Sequence, residues 1–101
     1  MDVSAWFGGR GNGIYGIRVG VPNRARYFQP SWNPIQVEMD GQFHSFNITP
    51  GFWKKSPEFR DSGQTKIRDW LRRYRTLDWV KGSPPRMSLI PLGEGKFRLV
   101  P

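Results

Sequence analysis

Eight of the chain's sixteen lysines and arginines fall between Phe52 and Arg75, threaded among aromatic rings. Lys54, Lys55, Arg60, Lys66, Arg68, Arg72, Arg73 and Arg75 stand beside Phe52, Trp53, Phe59, Trp70 and Tyr74, and only Glu58, Asp61 and Asp69 offset them. Concentrated positive charge attracts polyanions, and the counterions it displaces make nucleic acid a favoured partner. A guanidinium fork meets phosphate bidentately, whereas rings beside cations suit unpaired bases that stack while the cations follow the backbone. Arg24 and Arg26 precede Tyr27 and Phe28 in the same manner, within a run that holds no acid between Asp2 and Glu38. The candidate nucleic-acid-binding residues are therefore Arg68, Arg72, Arg75, Lys54, Lys55, Arg24 and Arg26 on phosphate, with Trp53 and Trp32 as stacking platforms. The same arginine row would also serve as the solvated face of a core helix, its stems lying over apolar neighbours.

Other chemistry is thinly supplied. There is no cysteine, which excludes disulfides and thiolate metal sites, and His44 is the single histidine, so zinc would need an unusual set of carboxylates. Glu38, Asp40 and His44 flank a turn and could gather to hold magnesium, as in a nuclease, although acids are common beside turns for conformational reasons. Gly11-Asn12-Gly13-Ile14-Tyr15-Gly16 matches the spacing G-x-G-x-x-G. It precedes a strand instead of following one and opening a helix, so it is no dinucleotide fingerprint. The expectation is a binding domain that is not an enzyme and takes no metal or cofactor. Its partner is DNA or RNA, or alternatively an acidic or apolar protein surface docked through exposed aromatics.

The chain has 101 residues, one domain's worth, and a net charge of +8. With a sequence pI near 10.6, a basic patch has the electrostatic footprint of a nucleic-acid binder. A charge of this size also lies at the top of the range that merely keeps a small domain soluble. The N-terminus has neither a basic nor an apolar leader, and no segment approaches the roughly 18–20 apolar residues of a membrane span. These features lead us to expect a soluble, cytoplasmic protein.

The elements that must carry these residues follow from periodicity. Residues 1–13 end in glycines and read as a flexible lead-in. Ile14 to Val21 is a β-rich strand stopped by Pro22, and Asn23 to Pro34 a long loop or a bulged edge strand. Ile35 to Met39 alternates, Asp40-Gly41 turns, and Phe43 to Ile48 resumes: a hairpin, with positive φ expected at Gly41. A two-residue turn would place Met39 opposite Gln42; a three-residue loop with a bulged Gly41, the preferred register, would let Val37 face Phe43, two apolar side chains together. Ser56-Pro57-Glu58 reads as a cap and first helical residue, giving a short helical turn at about 57–61. A long amphipathic helix spans about 64–77, with Ile67, Trp70, Leu71, Tyr74 and Leu77 on one arc and Arg68, Arg72 and Arg75 on its edge. Met87 to Leu92 and Lys96 to Val100 form a second hairpin, Pro91 marking an edge or bulge. The predicted fold is α+β: a small, partly open β-barrel or curled antiparallel sheet of about five strands, the helix across one opening.

Overall fold

The computed structural model describes residues 1–8 and 13–101. It is an α+β domain whose seven strands form one nearly closed barrel, with two α-helices. The strands are β1 (Asp2–Phe7), β2 (Tyr15–Arg18), β3 (Ile35–Met39), β4 (Gln42–Phe46), β5 (Glu58–Arg60), β6 (Arg86–Gly93) and β7 (Lys96–Val100). The helices are α1 (Val21–Tyr27) and α2 (Lys66–Tyr74), and a 3₁₀ turn covers Pro50–Trp53. The sheet runs β4-β3-β7-β6-β1-β2-β5, antiparallel except where β3 meets β7. At the seam between edge strands, Phe46 of β4 and Phe59 of β5 bring their ring centroids to 5.3 Å. Among the described residues, no helix is long and apolar enough to cross a membrane.

Alternation decides what each strand buries. Val3 and Ala5 of β1, Ile17 of β2, Ile35 and Val37 of β3, Leu89 of β6 and Phe97 and Leu99 of β7 point inward and form one core. α2 adds Ile67, Trp70 and Leu71 to it. These three lie at spacings of three and one, the inward arc of the expected helix. Trp70 is only 3% exposed. Tyr74 and Leu77, assigned to the same arc, are only partly covered.

Several sequence expectations need correction. Residues 2–7 are not a lead-in: they form β1, an inner strand paired with both β2 and β6. The rest of the lead-in expectation, and the first half of the G-x-G-x-x-G spacing, concern residues 9–12, outside the described residues. Val21–Tyr27 is a helix, where a loop or edge strand was expected. Pro22 sits in its first turn, and none of its residues is buried, so no apolar stripe announced it. Polar clamps hold it instead: Asn23 donates to the carbonyls of Asp2 and Val19 at 2.8 and 3.0 Å.

The expected helical turn at 57–61 is strand β5. The Pro57 carbonyl accepts the Val19 N–H at 2.9 Å, and Phe59 pairs with Ile17 of β2. Long-range pairing overrides the local cap signal. The long helix is shorter than expected. At its end the Thr76 hydroxyl exchanges hydrogen bonds with Asp78, a local turn that competes with helix continuation. The first hairpin closes with a two-residue turn, Met39 opposite Gln42, both Asp40 (φ 54°) and Gly41 (φ 82°) being left-handed. This primed turn matches strand twist. It places Val37 opposite His44, so the expected Val37–Phe43 pairing does not form. The second hairpin is as expected, with a register irregularity between Pro91 and Gly93. Its first strand is an inner one, so Pro91 marks a bulge, not an edge.

Candidate nucleic-acid interface

The start of α2 fixes the centre of the basic stretch. Thr65 occupies the cap position but makes no capping bond to the helix backbone. Asp61, just past β5, does so instead: its two carboxylate oxygens accept the N–H groups of Ile67 and Arg68 at 2.9 and 3.1 Å. These donors are unpaired in any helix unless something outside reaches them. Asp61 is 6% exposed, and its burial holds the carboxyl above the ordinary aspartate pKa. The N–H donors oppose that rise and the nearby Asp69 charge adds to it.

Beside this cap lies a hollow of about 780 Å³. Arg60 and Arg68 stand at its walls with the polar side chains of Asn47, Thr49, Ser62, Gln64 and Thr65. Cations and hydroxyl or amide groups around an open groove can hold an anion's oxygens while leaving it wet.

The structure sorts the expected site residues. Arg68 and Arg72 lie one turn apart on α2 and, among the described residues, have no carboxylate partner; only Arg60, Arg73 and Arg98 do. Arg75 falls past the helix end, where it donates through Nε to the Arg86 carbonyl at 3.1 Å and through Nη1 to the Tyr74 carbonyl at 2.9 Å. It therefore does not continue the helical row. Arg24 donates through Nη1 to the carbonyls of Phe52 and Lys54 at 2.7 and 3.1 Å, and its guanidinium lies 5.8 Å from the Trp53 ring. Trp53 also meets the buried Phe52 edge-on, so it is half-covered. Trp32 packs edge-on against Phe97 and over Gly95. Lys54 and Lys55 are exposed, as is Arg26 beside the Tyr27 ring. Two groups result: Arg68 at the polar groove with Arg72 one turn further along α2 beside Asp69 and Arg73, and Arg24, Trp53, Lys54 and Lys55 around the 3₁₀ turn.

The Glu38-Asp40-His44 gathering does not form. Glu38 accepts Arg98 on the outer face, Asp40 accepts Arg73 and the Tyr74 hydroxyl, and His44 pairs across from Val37. No cluster of three metal-ligating side chains occurs among the described residues.

Sequence reasoning missed a second group on the sheet. Across strands β1, β2 and β5, Trp6, Gly16 and Arg60 stand in register. The Arg60 guanidinium covers the Trp6 ring at 4.6 Å and donates to the buried Glu58 at 3.2 Å. Gly16 is required here: a Cβ would stand 2.5 Å from the Phe59 carbonyl oxygen and 3.0 Å from the Trp6 ring. A glycine inside a strand pattern was the available signal of such close approach. No known protein family, curated protein or solved structure matches the chain.

Proposed function

We propose that this domain binds nucleic acid through phosphate contacts and performs no chemistry on it. The observation that carries the reading is the basic edge of α2: Arg68 and Arg72 stand one turn apart, unpartnered by carboxylates among the described residues, and Arg68 opens onto a polar groove that Arg60 also lines. Guanidinium groups one helical turn apart suit neighbouring backbone phosphates. Lys54 and Lys55 supply a second cationic patch. A binding role is also favoured by where the acids go: Glu38, Asp40 and Glu58 sit in ion pairs and Asp61 caps a helix.

Arg68→Gln combined with Arg72→Gln tests this. Binding should weaken to a similar degree across base sequences, and the slope of log affinity against log salt should fall in magnitude by about two, close to one unit per lost contact. Arg75 is left intact because it holds the Arg86 carbonyl. A double variant that keeps its salt slope would move the phosphate contacts away from α2, towards Lys54 and Lys55.

A second reading, a protein-docking module, has its own observation. Phe43 is 49% exposed and Ile90 is also exposed, in the outer-face row Phe43–Glu38–Arg98–Ile90. An interface centred there should be nearly insensitive to salt.

A further inference from the structure

Beyond the Arg60–Trp6 contact lies a second hollow of about 650 Å³, between the end of β1 and the 76–85 segment. Its walls carry Trp6, Phe7, Tyr15 and Trp79, with Arg18 and Lys81 among them and Asp78 as the single carboxylate in the lining. The rings form a connected wall: Phe7 and Tyr15 are 4.8 Å apart between centroids, and Tyr15 and Trp79 are 6.2 Å apart, edge to face. The Tyr15 hydroxyl donates to the Leu77 carbonyl at 3.0 Å, which ties the 76–85 segment to β2 and sets that ring in place. Phe7 is nonetheless 45% exposed and Val80, in the same segment, 78% exposed. The Phe7 ring is thus open to solvent and Trp79 half-covered, in a hollow that two cations also line.

We propose that this hollow takes an unpaired stretch of nucleic acid, its bases against Phe7 and Trp79 and its phosphates against Arg18 and Lys81. The proposal rests on the phosphate-binding reading and adds the substrate class, a single strand. Three features favour that occupant: two cations against one acid, an exposed Phe7 ring beside a half-covered Trp79, and adjacency to the polar groove. Arg60 lines that groove while its guanidinium covers Trp6, which lines this hollow. Stacking on rings tolerates any base.

The test compares three fluorescein-labelled probes at one salt concentration: an oligothymidylate of about 12 nucleotides, within the usual footprint for such sites, an abasic strand of equal length, and a duplex. The wild-type protein should prefer the oligothymidylate to both others. Phe7→Ala should weaken oligothymidylate binding about 5- to 150-fold, the usual effect of removing one stacking ring, and leave abasic binding unchanged. Phe7→Tyr, which keeps the ring, should restore the preference. The wild-type comparison stands even if Phe7→Ala fails to fold. Equal wild-type affinity for the abasic and thymidylate strands, or tighter binding of duplex, would overturn this inference and leave the phosphate reading intact. Failure to bind any of the three would overturn both.

Discussion

Removing the Asp61 carboxylate should expose how α2 is held. Asp61→Ala deletes both acceptors of the Ile67 and Arg68 N–H groups. Loss of a helix cap costs about 0.5–2 kcal/mol, and a buried donor left unsatisfied costs about 1–3 kcal/mol. Ile67 is fully buried, and Asp61 supplies the acceptor at its N–H. Together these give about 3 kcal/mol, or a melting temperature lower by roughly 12–24 °C for a domain of this size. The effect depends on pH with a definite sign. Burial raises the folded-state pKa of Asp61 above its unfolded value, so the folded state holds that proton more tightly. The stabilisation from this group is fully present below the unfolded pKa and declines as pH rises through the folded pKa. The gap between wild type and Asp61→Ala should therefore be wider near pH 4 than near pH 7. Thermal unfolding by circular dichroism at both pH values measures it. A variant melting within about 2 °C of wild type at both would refute the capping account, and a gap that widens with pH would refute its electrostatic part.

Other substitutions probe separate parts of the fold by the same assay. Trp70→Ala should cost about 3–5 kcal/mol, since its ring lies inside the core face of α2; an unchanged melt would mean the helix is turned otherwise. Gly16→Ala should cost about 1–3 kcal/mol, because the new Cβ meets the Phe59 carbonyl, which cannot move without shifting β5. A neutral result there would deny the Trp6–Gly16–Arg60 packing. Arg24→Ala should cost about 1–2 kcal/mol by freeing the Phe52 and Lys54 carbonyls, and should raise proteolytic cleavage near Lys54 and Lys55.

What the sequence disclosed depended on how local the cause was. The inward arc of Ile67, Trp70 and Leu71, the left-handed Gly41 and the hairpin around Gly93–Gly95 follow from neighbours within a few residues, and each was legible. The cap of α2 was not, because Asp61 belongs to the end of a strand and reaches forward past an ordinary-looking Thr65. β5 carries a local helix-start pattern that only its pairing with β2 overrules. α1 has no buried side chain, so periodicity was silent, and side-chain bonds to distant carbonyls hold it. For the candidate site, the charge of Arg68 and Arg72 was visible, whereas the diversion of Arg75 and Arg24 to backbone carbonyls depends on segments remote in sequence. Trp6 escaped notice because the glycines that follow β1 made residues 1–13 read as a lead-in, although Val3 and Ala5 alternate with Ser4 and Trp6 as a strand requires.

The central claim is that this domain binds nucleic acid through its phosphates. Titrating the wild-type protein into a generic labelled oligonucleotide at several salt concentrations tests it most directly. The account predicts clear binding at low salt and a log–log slope of magnitude at least about two, from Arg68 and Arg72, with each further phosphate contact adding to it. An absence of binding at low salt, or an affinity indifferent to salt, would contradict it.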